Sequence, residues 1–349
     1  YLDVSSPVWR LSNSHNPFNI TSALFAPLGL PGLPPSPPYA QLNSNGPIWI
    51  DNVAQTLDLS PTLSTDLLLN PITTPPPTQG INFAFSGALS SNVHILDDVL
   101  PPVENLFPGF QDQVADFVSL SSTLPVDPTA LNVIWVGGND YNEALTNPTS
   151  LDGLPLAQLP DRVTDNIVSG ISQLSGLGAR EFLVVNLPDI GDAPFADFLD
   201  TQTPQDIPAL LNQLVSTHND LLSTRLSAFE QSQPDSRVTL LDINSLFANI
   251  LANPASFGLT NVTDSCLINF QPGFQFDGVC DSPDEFLFWD DTHPTTAASR
   301  AISDFALAAL NHDIDAASVP EPGSLIALLT VTLGGGTLLT RRQNFKGKR

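Results

Sequence analysis

Short runs dense in Val, Ile, Leu and Phe, at residues 81–85, 131–136, 181–187 and 237–243, alternate along the chain with longer stretches whose apolar residues recur at helical spacing, at 111–120, 159–177, 208–229 and 295–310. Runs that are apolar throughout, rather than at every second position, suit strands covered on both faces. Strand and helix in alternation call for a parallel sheet with right-handed crossovers and helices on both sides. Ligands and reacting groups in such sheets gather beyond the carboxyl ends of the strands. The residues directly after each apolar run are therefore the first candidates for function. At 349 residues, 42% of them hydrophobic, the chain can fill one large domain or two ordinary ones. Its 33 prolines concentrate near 27–38 and 71–77, which read as long surface loops.

Charge and cysteine content narrow the partners. The chain holds 36 acidic residues and 11 basic ones, and five of the basic ones (Arg341, Arg342, Lys346, Lys348 and Arg349) fall in the last nine positions. A body this acidic repels phosphate backbones, which argues against nucleic acid as a partner. The only two cysteines, Cys266 and Cys280, share a region rich in Pro, Gly and Asp, with no CxxC or Cys/His cluster to suggest a metal. They read as a local disulfide formed in an oxidising compartment, or as two free thiols. No methionine occurs, so the chain reads as processed or as a fragment.

Three motifs could carry chemistry. Gly137-Gly138-Asn139-Asp140 follows the run 131–136. Small residues there let the backbone turn sharply, and the Asn side chain can present an N–H donor to a pocket, although Gly-Asn-Asp is also ordinary turn chemistry. Asn82-Phe-Ala-Phe-Ser-Gly-Ala88 ends in Ser86-Gly87, where a glycine N–H can approach a ligand closely, or where a strand end merely needs a small residue. The most informative is Phe288-Trp-Asp-Asp-Thr-His-Pro-Thr295. Asp290 and His293, three residues apart on a tight turn, can point the same way, so that the carboxylate holds one ring nitrogen while the other takes a proton from a nucleophile. Asp291 should face elsewhere. Taken alone, the same pattern also fits a helix cap beside a surface histidine.

Together, Ser44-Asn-Gly-Pro-Ile-Trp49, Asn82 to Ala88, Trp135 to Asp140, Val185-Asn-Leu-Pro-Asp189 and Phe286 to Thr295 resemble, in order and spacing, the GDSL/SGNH esterase and lipase family over roughly residues 35–310. The resemblance implies a flavodoxin-like, three-layer α/β fold and ester substrates, small-molecule or lipid, hydrolysed through an acyl-enzyme. It implies that Gly87 and Asn139 bind the oxyanion, that Asp290 and His293 complete a triad, and that neither a metal nor an organic cofactor takes part. The family's opening Gly-Asp-Ser-Leu block supplies the nucleophilic serine, and a Ser-Asp-x-Gly-Asn stretch comes soon after it. Ser12-Asn-Ser-His-Asn16 is a degraded form of that second stretch, and its register sets Val8-Trp9-Arg10-Leu11 where the opening block should stand. Arginine cannot attack an ester. Ser5, Ser6, Ser12 and Ser14 are out of register, and no Gly-x-Ser-x-Gly elbow replaces the block. Two explanations stay open. Either the chain is a non-catalytic relative that keeps the fold as an exported surface-binding or matrix protein, or its start is read out of frame, since GTT TGG CGA CTC read one base later encodes Phe-Gly-Asp. Under the second explanation few residues of 1–11 would form a convincing strand.

The last stretch changes character. Val319-Pro-Glu-Pro322 leads into 324–340, a run without charge, and then Arg341-Arg342. About 17 residues is the short limit for a bilayer span, and positive charge after it favours a cytoplasmic end. Motif, apolar helix and basic cluster in this order resemble the PEP-CTERM sorting signal of exported bacterial proteins. The expected organisation is a hydrolase domain over 1–315 and a sorting tail over 316–349. The tail implies export, inner-membrane anchoring through 324–340, contact with sorting and processing machinery, and release to the surface.

Overall fold

The computed structural model describes residues 9–11, 15–28, 32–69, 77–97, 107–271 and 273–318. Six strands, β1 (Trp9–Leu11), β2 (Thr62–Leu63), β3 (Ile81–Asn82), β4 (Leu131–Ile134), β5 (Glu181–Val185) and β6 (Arg237–Leu241), form one sheet in the order β2-β3-β1-β4-β5-β6. Every neighbouring pair is parallel. The helices are α1 (Asn16–Phe25), α2 (Trp49–Thr56), α3 (Ser64–Leu69), α4 (Phe110–Ser121), α5 (Gly138–Thr146), α6 (Leu159–Gly176), α7 (Pro194–Asp200), α8 (Ile207–Ser232), α9 (Ile243–Ala252) and α10 (Thr296–Ser318).

Side-chain alternation along the central strands builds three layers. Ile134, Phe182 and Val184 pack with Phe110 and Val114 of α4, Ile167 and Ile171 of α6, and Leu211 and Leu222 of α8. Their sequence neighbours Val133, Leu183 and Val185 face the opposite way, onto Trp49 and Val53 of α2, Phe247 of α9 and Ile302 of α10. Continuous apolar runs are what a strand buried on both faces needs. Helix boundaries have local causes. Asp206 caps α8 by accepting the Ala209 N–H at 3.0 Å, Asp242 caps α9 through the Ser245 N–H at 3.2 Å, and the Thr295 hydroxyl accepts the Ala298 N–H of α10 at 3.2 Å. In α6, Gly170 makes room for the Phe110 ring, whose atoms lie 2.6 Å from where a Cβ would stand.

The doubly covered parallel sheet is the fold expected from the sequence. Each of the four expected strands is present but shorter. The apolar runs continue to 85, 136, 187 and 243, whereas the strands end at Asn82, Ile134, Val185 and Leu241. The surplus has a use: Phe85, Trp135, Val136 and Leu187 line a cavity above the sheet, and Ile243 begins α9. The expectation of no convincing strand near the start is corrected. Trp9, Arg10 and Leu11 run beside Asn132, Val133 and Ile134, with Arg10 also opposite Asn82, so β1 is central to the sheet. Backbone pairing on both sides overrides a weak local pattern.

Between α9 and α10 lies a small β region that periodicity did not announce. Parallel β7 (Asn261–Ser265) and β10 (Phe286–Phe288) flank the antiparallel pair β8 (Leu267–Ile268) and β9 (Gly278–Val279). The structure joins Cys266 to Cys280 with their Cα atoms 4.9 Å apart, closing this loop. The proposed span 324–340, its basic end and most of the 316–349 tail lie outside the described residues. Among the described residues no helix is long and apolar enough to cross a membrane.

Candidate active site

The turn from β10 to α10 aims an acid and a base at each other. Trp289 N–H donates to the His293 carbonyl at 2.7 Å and Thr295 N–H to the Leu287 carbonyl at 2.9 Å, which closes the loop. Asp290, 2% exposed, points inward, and its Oδ1 accepts the Thr292 and His293 backbone N–H groups at 3.0 and 2.7 Å. His293 Nδ1 stands 2.9 Å from both carboxylate oxygens. An acceptor there keeps the proton on Nδ1 and leaves Nε2 as the basic nitrogen. Burial would raise the Asp290 pKa, but the His293 charge and the hydrogen bonds outweigh it and hold the carboxyl below its usual range. For His293 burial works against the charge, and the Asp290 carboxylate, with Asp291 behind it, raises the pKa on balance. Asp291 makes no hydrogen bond to the imidazole. It is pushed up to about 7, by burial first and then by the Asp290 charge.

Two arms approach from the neighbouring strand ends. After β3 the chain turns at Gly87, whose φ of +95° suits glycine alone; a Cβ would stand 2.8 Å from His94 Cε1. His94, 1% exposed, donates from Nε2 to the Ser86 carbonyl at 2.9 Å and accepts the Leu96 N–H on Nδ1 at 3.1 Å. Both nitrogens are thereby used by the neutral ring, and burial lowers its pKa to about 4. After β4 the chain turns at Gly137, with φ +123°, and delivers Asn139. The Asn139 Nδ2 donates one hydrogen to the Ala88 carbonyl at 2.9 Å and keeps a second. Asp140, buried, accepts the Ser90 hydroxyl at 2.7 Å and the Ser90 N–H at 2.9 Å, and burial raises its pKa to about 6. These bonds fasten the Gly87 and Asn139 arms to each other.

Gly87, Asn139 and His293 line one cavity of about 240 Å³, along with Ser86 and Thr292. Much of its remaining wall is apolar: Trp49, Trp135, Phe247, Leu251 and Ile302 among others. The structure thus brings together Asp290, His293, Gly87 and Asn139. Arg10 is placed by its backbone alone, in β1. Cys266 and Cys280 lie in the loop before β10 and do not line the cavity. Among the described residues no group of three or more His, Cys, Asp or Glu is arranged to hold a metal. Sequence reasoning missed Tyr39, whose hydroxyl donates to Asp290 Oδ2 at 2.9 Å, and His94 behind the Gly87 arm, and it named Asp140 within its motif without a role. It singled out Ser44-Asn45-Gly46 without a role. The Ser44 hydroxyl donates to the Pro294 carbonyl at 2.9 Å, Asn45 Oδ1 accepts the Thr296 N–H at 2.8 Å, and the neighbouring Asn43 amide donates to the Ser86 hydroxyl.

The sequence profile of the family described as GDSL-like Lipase/Acylhydrolase matches residues 20–305. The chain belongs to the GDSL lipase/acylhydrolase family. The match takes in both arms and the Asp290–His293 turn and begins after Arg10. One GDSL esterase/lipase of Arabidopsis thaliana is 28% identical across 66% of this chain and 59% of its own length, so the chain spans about three fifths of that relative. A second from Arabidopsis thaliana is 28% identical across 84% of this chain and 85% of its own. The phosphatidylcholine-sterol acyltransferase of Aeromonas hydrophila is 26% identical across 78% of this chain and 81% of its own.

Proposed function

We propose that this GDSL-family site hydrolyses carboxylic esters through an acyl-enzyme, with the nucleophile belonging to the block now read as Val8-Trp9-Arg10-Leu11. The observation that carries the proposal is the Asp290–His293 pair at 2.9 Å, set in the wall of the cavity that Gly87 and Asn139 also line. With serine at position 10, as in the Gly-Asp-Ser-Leu block, the hydroxyl gives its proton to His293 Nε2 as its oxygen bonds to the ester carbonyl carbon. The negative charge that gathers on the carbonyl oxygen is met by the Gly87 N–H and the second Asn139 N–H. The tetrahedral intermediate collapses, His293 protonates the departing alcohol, and water, deprotonated by the same nitrogen, releases the acid. Asp290 keeps the Nδ1 proton in place throughout. The aromatic and aliphatic wall favours an apolar acyl group, in keeping with relatives named for lipase and acyltransferase activity. Export, membrane anchoring and sorting are proposed on the sequence of 319–349 alone.

Arginine at position 10 puts no serine in the register of the family's nucleophile, which favours a second reading: a binding protein that holds apolar esters or acids without cleaving them. One experiment separates the two. The chain carrying Val8→Gly, Trp9→Asp and Arg10→Ser should hydrolyse short-chain p-nitrophenyl esters and take up a fluorophosphonate probe, and His293→Ala in that background should lower kcat/KM by about four orders of magnitude or more. A restored chain that folds yet neither reacts with the probe nor cleaves the ester leaves the binding reading.

A further inference from the structure

Tyr39 is one of only three tyrosines in the chain. Its ring is 3% exposed and sits at the end of the proline-rich segment before the Ser44-Asn45-Gly46 motif. Two rings grip it edge-on: Trp289, beside Asp290, at 6.0 Å between centroids, and Phe274, from the loop closed by Cys266 and Cys280, at 5.5 Å. The hydroxyl so placed lies 2.9 Å from Asp290 Oδ2, across a separation of 251 residues in sequence. Oδ1 is already occupied by the Thr292 and His293 backbone N–H groups. Oδ2 has the Tyr39 hydroxyl and the imidazole.

We propose that Tyr39 is a positioning residue that acts on His293 through Asp290: by donating to Oδ2 it stops the carboxylate from turning away from Nδ1 and withdraws part of the charge the imidazole feels. Its importance for catalysis rests on the ester-hydrolase reading, whereas its effect on His293 does not. A tyrosine buried only for packing would need any acceptor for its hydroxyl. This one meets the carboxylate that orients the base, and the segment that carries it is fastened along the same turn by Ser44 to Pro294 and Asn45 to Thr296. The titratable groups around the imidazole are Asp290 and Asp291 of its own loop and Tyr39, with Asp189 and Asp192 in the cavity wall contributed by the segment after β5.

Charge sets the direction of the effect. A hydrogen bond to a carboxylate spreads its charge and weakens its pull on a neighbouring cation. Tyr39→Phe therefore leaves Asp290 a stronger anion and His293 harder to deprotonate.

The test is a pH titration of the His293 Cε1–H resonance by NMR in the full chain as it stands, with the signal assigned by its loss in His293→Asn. Tyr39→Phe should move the His293 midpoint upward by about half a unit to one unit. Uniform incorporation of 3-fluorotyrosine, whose hydroxyl is a stronger donor, keeps the ring in place and should move it downward, which serves if Tyr39→Phe does not fold. A folded Tyr39→Phe chain with an unmoved His293 midpoint overturns the proposal, as does a fluorotyrosine chain with an unmoved or raised one. No ester is cleaved in this measurement, so a catalytically silent chain does not disturb it, and hydrolysis by the restored chain does not rescue it.

Discussion

At Gly87 two independent constraints meet on one residue. Its φ of +95° strains any side chain, and the direction a Cβ would take is filled by His94 and Ile95, with atoms at 2.8 Å. His94 cannot easily retreat, because it is stacked on Phe107 with centroids 5.1 Å apart and bonded at both nitrogens. Gly87→Ala should therefore cost about 2–4 kcal/mol of stability, read from the urea midpoint, combining backbone strain with overpacking. It should also lower kcat far more than it raises KM in the restored chain, because the displaced N–H meets charge that exists only in the transition state. The residue-level signals differ in reach. Asp290 and His293 were legible because a tight turn is a local event, and three residues of spacing suffice to write it. Tyr39 and Asp140 were not: the first meets its partner 251 residues away and the second 50, and a single sequence carries no mark of such pairings.

Among the helices, the packing of α5 against α6 and α8 encloses a polar pair. The Tyr141 hydroxyl lies 3.0 Å from His218 Nδ1, both residues are 0% exposed, and among the described residues His218 Nε2 has no hydrogen-bond partner. Periodicity marked 208–229 as helical but could not say that His218 within it would be buried against a tyrosine. Removing one member should cost more than removing both. Tyr141→Phe strands Nδ1 as well as Nε2 and should destabilise the fold by about 1–3 kcal/mol in urea titrations. Tyr141→Phe with His218→Leu replaces the pair by apolar groups of similar size and should recover that loss at pH 7 or exceed it. Failure of the second change to recover the first would mean that the pair holds Gly137, whose missing Cβ points at His218 Cε1 from 3.2 Å, rather than merely filling space. The elements themselves show the limit of pattern reading. Apolar runs located β3, β4, β5 and β6, yet overran each by two or three residues, because the same residues that would continue a strand also wall a cavity or open the next helix. β1 escaped notice because its place is set by partners on both sides and not by its own three residues.

Over the whole molecule, a chain with a net charge of −25 holds buried groups of both kinds that resist ionisation, and their responses to acid oppose one another. His94 and His218 have folded pKa values lowered to about 4, by burial in each case. Between pH 6.5 and 4 the unfolded chain binds protons that these rings refuse, so each takes stability away as pH falls, on the order of 3 kcal/mol when complete. Asp140 and Asp291, raised to about 6 and about 7, do the reverse: the folded state takes up their protons first, and stability returns as pH falls from 7 toward 4. These contributions of opposite sign act in one window and mask one another in the native chain. Deleting one histidine should expose the slope. The Tyr141→Phe, His218→Leu chain, compared with the unaltered chain in paired thermal or urea melts, should gain stability steadily from pH 6.5 to pH 4, by about 3 kcal/mol at the lower end. Parallel curves would mean that His218 is protonated inside the fold, and that Nε2 has found an acceptor. The −25 charge is common to both chains apart from the ionisation of that one ring, so self-repulsion cancels in the comparison and the difference belongs to His218.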